Sequence, residues 1–537
     1  MDFDNFLMNA FWGRVDPGPF ESFQDLQHDE KTRSILREFD ALTAEYPPDQ
    51  LEKEGRIPEA AMERLRTISF FGLNIPQEYG GVGLNLWQYL KLVEAITARN
   101  MALGFASLAH LSIGTKGIFL FGSQDQKQRY LPRAASGEMI FSYALTEPEI
   151  GSDAKNITTT AELSSDGRHY ILNGRKTYIT NANYAGGLTV FAQLDPDRSG
   201  QMGAFVVETG WEGVRIGRDM PKMGLTVSST AAVQFKNVVV PRENLLGAAG
   251  DGFKIAMTIL NYGRLALGAG SSGMMKQSLK DMRQRAENRI QFGVPIQQFE
   301  LVQEKLVRAE VNRRVTAAMT AFTAGLLADD PLAQVAAESS HCKLFGTTRA
   351  WDTLYDAMQV AGGAGYLSTL PYERRLRDFR VATIFEGTTE IHSVYPAVFL
   401  VRSLAKRMPP PDSGKWARLR FLLRGMFGPL RWRLRFGMRP MDRAVGFARA
   451  NARRIRLLVH AGLLLYGKDV GQRQFFLRRI THLSLQTLAV FSLLARIEAG
   501  RRRGAPVDAD LRALAYFIEA TRRHRDGGLG ILAVRLE

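Results

Sequence analysis

The sequence predicts a mainly α-helical fold interrupted by one all-β insert and extended by a second helical region. Three observations carry that prediction. Apolar residues recur three and four apart before about residue 138 and again after Gly252, the spacing of buried helix faces. Between them, 140–247 is cut into short β-branched runs by Asn-Gly, Asp-Gly and Pro. Beyond the Pro-rich stretch at 408–414 the charge balance changes sign. The expected domains are 1–138 (helical), 139–249 (β), 250–405 (helical bundle) and 406–537 (basic helical extension).

In the first helical region, Ala60–Leu73 and Leu86–Ala106 show the helical period, and Pro76, Gly80, Gly81 and Gly83 mark the loop between them. In the insert, TYIT, LTVFAQL, GAFVVE and TAAVQFKNVVV read as strands. Helices are then predicted over 253–285, 299–327, 331–365 and 384–404, enough for a four-helix bundle.

Composition limits the classes available. The 537 residues are 45% hydrophobic and 23% charged, which excludes disorder of the whole chain. The single cysteine, Cys342, excludes an internal disulfide framework and a multi-cysteine metal site. The net charge of +16 is unevenly spread. Residues 1–401 hold 41 Lys+Arg against 45 Asp+Glu, whereas residues 402–537 hold 29 against 9. Anionic partners are therefore expected at the C-terminal end. The acidic start, MDFDNF, fits neither a secretory signal nor a mitochondrial leader, so cytoplasmic residence is expected.

Five segments carry candidate chemistry. LTEPEIGSD (145–153) offers the hydroxyls of Thr146 and Ser152 and the unhindered backbone of Gly151, which suit a flavin edge or a phosphate. NGRKTYITNA (173–182) is a turn followed by an alternating strand. ENRIQFGVP (287–295) places Arg289, able to clamp a pyrophosphate, before a helix break. QVAGGAGY (359–366) allows close backbone approach. RLRDFRVATIFEGTTEIH (375–392) sets Glu386 behind Ile384 and Phe385, an apolar setting that suits a general base. Each segment taken alone is better read as a turn, hairpin or helix cap than as a binding or catalytic element.

Together, in this order and spacing, the five resemble the acyl-CoA dehydrogenase family, supported by FGLNIPQEYGGVGL (71–84), KMGLTVSSTAAVQFKNVVVPRENLLG (222–247) and GDGFKIAMTILNYGR (250–264). The wording is most similar to the very-long-chain branch, which also carries an extra helical region. The resemblance implies an N-terminal helical domain, a middle β-barrel and a C-terminal four-helix bundle, with FAD as cofactor. It implies that Tyr143, Leu145, Thr146, Gly151 and Ser152 meet the flavin, with Tyr178 and Thr180 flanking it from the barrel; many relatives carry Trp at the Tyr178 position. Arg289, Gln291 and Phe292 would reach the FAD of a neighbouring subunit, and Gln359, Gly362 and Gly363 its adenosine-pyrophosphate side. Thr388 and Glu390 would contact the cofactor again.

By the same resemblance, Glu386 removes the α-proton of an acyl-CoA with Arg264 nearby, and the product is a trans-2-enoyl-CoA. Ser152 and Gly387 would approach the thioester. Ala106 and Ala109, small residues at the floor of the acyl tunnel, favour a long acyl chain. Electron-transferring flavoprotein is the implied acceptor, and an extra helical region covering the bundle makes a homodimer the expected assembly.

The basic extension opens with KWARLRFLLRGMFGPLRWRLRFGMR (415–439), which mixes seven Arg and one Lys with Trp, Phe and Leu and contains no acid. Pro429 is expected to divide it into two helices. This composition suits the surface of an anionic membrane, so a peripheral position on a cytoplasmic membrane face is expected. A nucleic-acid partner is the lesser expectation. The alternative function is therefore an FAD-binding family member that acts chiefly on DNA or a membrane.

Overall fold

Helix-end chemistry punctuates the N-terminal helices where the sequence places loops. Asn85 and Gln88 form a reciprocal capping box at the start of the helix Leu86–Ala109, and Ser123 with Gln126 does the same for Gln124–Ser136. The second of these helices ends on Gly137 at φ +78°, a left-handed stop that glycine adopts without strain. The computed structural model describes residues 3–26, 28–194 and 201–528, which form two compact units.

The first unit joins residues 27–277 to 361–388. Its N-terminal helices are Glu30–Glu45, Pro48–Glu54, Glu59–Thr67, Leu86–Ala109, Lys116–Phe121 and Gln124–Ser136, with one π turn at His110–Gly114. The middle of the unit is a seven-stranded half-barrel. Its strands are β1 (Ile140–Ala144), β2 (Thr160–Leu163), β3 (His169–Thr180), β4 (Ala185–Gln193), β5 (Met202–Glu208), β6 (Val214–Ile216) and β7 (Thr230–Pro241). The order is β1-β4-β2-β3-β7-β6, and β5 pairs antiparallel with β4. Alternating inward residues, among them Leu172, Val190, Phe205, Val233 and Val238, fill its core. The four strand runs predicted from sequence lie in β3, β4, β5 and β7, whereas β1, β2 and β6 were not individually predicted.

The second unit holds residues 1–26, 278–360 and 389–537 among those described. Its long helices are Glu300–Ala328, Ala336–Ala361, Thr389–Ala405, Arg439–Tyr466, Gln474–Arg502 and Asp508–Gly528, together with the C-terminal end of Gly252–Asn288. Gln474–Arg502 is the central one and packs on Arg439–Tyr466, Thr389–Ala405 and Glu300–Ala328. Phe20, Phe322 and Phe491 meet edge to face, with centroids 5.5 and 5.7 Å from Phe20. The stretches Leu86–Phe121 and Gln474–Arg502 have the length and hydropathy of membrane spans, but 72% and 83% of their apolar windows are buried inside the protein, as in core helices.

Three predicted elements are corrected. The helix predicted from 331 begins at Ala336, because Asp330 and Pro331 form a turn in which the Leu332 N–H bonds to the Asp330 carboxylate. The helix predicted from 384 begins at Thr389, because Glu386 and Gly387 take positive φ. Of the two helices predicted in 415–439, only Lys415–Phe427 forms. Residues 428–438 run without helix, held where the Arg431 N–H donates to Gly13 O at 2.8 Å and Trp432 Nε1 to Ala10 O at 2.9 Å.

Candidate active site

Glu386 sits at a backbone break. The chain leaves the helix Tyr372–Arg380 through a single 3₁₀ turn, and the Ile384 and Phe385 N–H groups both close on Val381 O. Glu386 then adopts φ +54° and Gly387 φ +100°. The left-handed region disfavours a residue with a Cβ by about 1–2 kcal/mol, so surrounding contacts must hold Glu386 there. Several do. Asp378 accepts the Leu225 N–H at 2.6 Å, fixing the preceding helix to the half-barrel. Arg377 pairs with Glu373 at 2.6 Å and also with Glu52. The Phe385 ring stacks on Phe105 with centroids 6.2 Å apart and planes within 3°.

The carboxylate itself rests against a glycine. A Cβ on Gly263 would fall 2.9 Å from Glu386 Cδ and 2.8 Å from Ile113 Cγ2, so the acid occupies space that alanine would take. Arg264, the next residue, is buried at 5% exposure. Two tyrosines register the local field. Burial and the Glu386 charge both raise the pKa of the Tyr89 hydroxyl. Burial pushes Tyr143 well above its usual value; Arg264 opposes the shift and Glu386 adds to it. A carboxylate, a buried cation and two neutral phenols therefore share one neighbourhood.

A second carboxylate, Glu147, has a different environment. It is 3% exposed and pairs with the fully buried Lys176 at 2.8 Å. The backbone N–H groups of Thr158 and Thr159 donate to it at 2.6 and 2.9 Å, and the Thr158 hydroxyl at 2.6 Å. Burial raises its pKa, but the Lys176 charge and these hydrogen bonds outweigh burial and hold it at about 2. Lys176 also donates to Leu145 O at 3.1 Å, and the Thr177 N–H to Thr146 O at 2.9 Å. The pair thus fastens the 145–152 loop to β3.

That fastening brings together residues predicted from two separate segments. Leu145 is buried, Thr146 and Thr180 are half-buried, and Gly151 and Ser152 are exposed. Tyr178 is 66% exposed at φ +56°, within the register shift between Lys176 and Ile179 where β3 pairs β7. A bulge of this kind re-aims a side chain outward. Tyr143 is half-buried on β1, and its hydroxyl donates to Ala256 O at 3.3 Å. A Cβ on Gly151 would meet nothing within 4 Å. An exposed aromatic ring, two threonine hydroxyls, a serine and an open glycine backbone fit the edge of the flavin that the sequence implies.

The other predicted residues are placed as follows. Ala106 is fully buried, and its carbonyl accepts from Asn181 Nδ2 at 2.7 Å; Ala109 is half-buried. Gly387 and Thr388 are half-buried directly after Glu386. Gly362, at φ +66°, and Gly363 are exposed, and Cβ atoms there would meet nothing within 4 Å. Arg289, Gln291, Phe292, Gln359 and Glu390 lie in the second unit. Arg289 opens the small hairpin Ile290–Gln291/Val294–Pro295, whose tip carries Phe292 at 95% exposure and φ +53°. Gln359 and Glu390 are exposed.

Sequence reasoning missed Gly263, Tyr89 and the Glu147–Lys176 pair. Glu147 and Lys176 do stand inside two of the quoted segments, as one acid and one base in stretches otherwise read for hydroxyls and turns.

Comparison with known proteins agrees with this geometry. Residues 27–138, 142–238 and 250–394 match the N-terminal, middle and C-terminal domains of acyl-CoA dehydrogenase. The chain is similar to the very long-chain specific acyl-CoA dehydrogenase of Bos taurus, 34% identical over 97% of this chain and 83% of that protein. An acyl-CoA dehydrogenase of Bacillus subtilis is 35% identical and covers 69% of this chain and 97% of its own length. An acyl-CoA dehydrogenase of Bacillus anthracis, solved in complex with FAD, superposes with a TM-score of 0.82 at 27% identity, covering 95% of this chain and 89% of its own. The chain belongs to the acyl-CoA dehydrogenase family.

Proposed function

We propose that this protein is an FAD-dependent oxidoreductase that converts a long-chain acyl-CoA to its trans-2-enoyl-CoA, with Glu386 as the base. The carrying observation is the seat of the Glu386 carboxylate over Gly263, next in sequence to the buried Arg264. FAD and the dehydrogenation of an acyl-CoA follow from family membership. The identity of the base and the chain length are this proposal.

Glu386 takes the proton from the carbon next to the thioester. Its positive-φ junction and the stack of Phe385 on Phe105 keep the carboxylate in one orientation. Arg264 favours negative charge in the pocket as the α-carbon loses its proton. Thr146, Ser152, Tyr178 and Thr180 would hold FAD, which when bound accepts the β-hydride that no side chain of this chain can take. Tyr89 and Tyr143, raised in pKa, stay protonated through the neutral range and compete for no proton. Anaerobic palmitoyl-CoA is expected to bleach the flavin absorbance of the wild-type enzyme. Glu386→Gln should keep FAD yet leave the flavin oxidised, and normal bleaching by that variant would reject the base.

A long acyl chain is supported by the small residues Ala106 and Ala109 beside Phe105 and by similarity to a very-long-chain relative across the whole chain. Each buried methylene contributes about 0.8 kcal/mol, so kcat/KM should climb with acyl length. A maximum on butyryl-CoA would reject this part. Electrons then pass to a separate acceptor, by family analogy electron-transferring flavoprotein, and the working assembly is a homodimer.

The partner of the helix Lys415–Phe427 is proposed to be the surface of an anionic membrane on its cytoplasmic side. Trp416, Leu423 and Phe427 are 82%, 42% and 74% exposed and lie on one helical stripe bordered by Arg420 and Arg424. Sedimentation with anionic vesicles, reduced by Trp416→Ala/Phe427→Ala, is the expected result. Equal sedimentation of wild type and variant would reject this surface.

A further inference from the structure

The second unit contains a cavity of about 690 Å³ that the dehydrogenase reaction does not use. Five arginines line it: Arg14 after the N-terminal helix, Arg420 and Arg424 on Lys415–Phe427, Arg431 in the non-helical run, and Arg456 on Arg439–Tyr466. No Asp or Glu is among its lining residues. Among the described residues, Arg420, Arg424, Arg431 and Arg456 make no ion pair. Arg456 is 3% exposed, and its Nε donates to Gly425 O at 2.9 Å, which fixes the guanidinium in the wall. Its pKa is lowered by burial and by the neighbouring Arg453 charge. Trp12, at 8% exposure, also lines the cavity, and its Nε1–H has no hydrogen-bond partner. Gly425 and Gly428 keep the wall thin, since a Cβ on Gly428 would come 3.1 Å from Arg456 Nη2.

Arg456 and the Trp12 indole N–H are buried, and the exposed Arg420, Arg424 and Arg431 add positive charge around the same concavity, which a bound anion offsets. The guanidinium fork matches phosphate oxygens two at a time. The volume is in the range of small-molecule sites, about 300–1,000 Å³, and exceeds the need of one inorganic ion. We propose that this cavity binds an organic phosphate, with Arg424, Arg431 and Arg456 on the phosphate oxygens and the Trp12 indole against the remainder. The phosphate could be a lipid headgroup or a soluble phosphate ester; the chemistry of recognition is the same. The proposal rests on the cavity alone and survives failure of the membrane reading.

The test uses the full-length, FAD-loaded protein and two probes. Glycerol 3-phosphate binding is followed by calorimetry, and flotation is measured with phosphatidylcholine vesicles with and without phosphatidylglycerol. Arg424→Gln/Arg431→Gln is compared with Arg478→Gln/Arg479→Gln, an exposed pair on another helix. The cavity pair should weaken binding about tenfold or more and the control pair should not. Loss confined to glycerol 3-phosphate identifies a soluble ester, and loss confined to phosphatidylglycerol vesicles identifies a headgroup. If both pairs reduce binding equally, or neither probe binds, the site does not exist. Should the double variant lose its flavin spectrum, the single Arg420→Gln replaces it.

Discussion

Glu147 and Glu386 belong to the same unit, and the chain treats them in opposite ways. Glu147 is clamped by a buried ammonium, two backbone N–H groups and a hydroxyl, and its pKa is held at about 2. Such a carboxylate is too weak a base to take a proton near neutral pH. Around Glu386 the backbone is strained, the neighbouring Phe385 is stacked, and Gly263 leaves room for the carboxylate. The contrast separates anchoring from reactivity. Strong hydrogen-bond donors immobilise Glu147 and remove its basicity, whereas Glu386 is seated against a glycine beside an aromatic stack.

The largest effect that sharpens this contrast is loss of the proposed base. Glu386→Gln should lower the rate of flavin reduction by about 10²–10⁴-fold, the usual range for a general base, with FAD content unchanged. Lys176→Met tests the other side. Removing one partner of a buried pair costs about 3–5 kcal/mol, so denaturant unfolding of the first unit should move to lower concentration and the flavin loop should lose FAD. Retained stability in that variant would show that Glu147 is satisfied by Thr158 and Thr159 alone.

Acid should act more weakly, and His110 is one of several buried or half-buried histidines through which it acts. His110 is fully buried; its Nε2 donates to Ala134 O at 3.1 Å and its Nδ1 accepts the Phe141 N–H at 2.8 Å. Burial lowers its pKa from 6.5 to about 4. Between those values the unfolded chain binds the proton and the folded chain does not, so stability falls as pH drops from 6.5 to 4, by about 3 kcal/mol in total. Glu147 extends the loss below pH 4.5, because its stabilisation is present above that pH and disappears toward about 2. His110→Gln should flatten the upper part of the stability–pH curve, and an unchanged curve would remove His110 as a source of it. The smallest effect is the most selective. Gly263→Ala should cut kcat by about tenfold or more by displacing the carboxylate, although alanine favours a helix interior by about 0.5–1 kcal/mol. Lower kcat with FAD retained is the signature, and unchanged kcat would show that Gly263 does not seat Glu386.

Long-period features of the fold were legible in the sequence. The helices at Leu86–Ala109, Gly252–Asn288 and Glu300–Ala328 carry many turns of apolar spacing, and β4, β5 and β7 carry dense β-branched runs. The three residues of β6 and the four of β2 are too few to establish a period. The apolar pattern of Ile384 and Phe385 predicts helix through Glu386, and a positive φ at a glutamate leaves no compositional mark. Site residues inside quoted segments could be named, but Lys176 and Glu147 are 29 residues apart and Gly263 lies over 100 residues before Glu386. Pairings of that kind are set by tertiary packing.

The most direct test places both carboxylates in one experiment: the stopped-flow rate of flavin reduction by palmitoyl-CoA, expressed per bound FAD, in Glu386→Gln and in Glu147→Gln. The account predicts that the first slows reduction by about 10²–10⁴-fold, while the second binds FAD less well but reduces what it holds within about tenfold of wild type. Near-normal reduction in Glu386→Gln, or abolition only in Glu147→Gln, would contradict it.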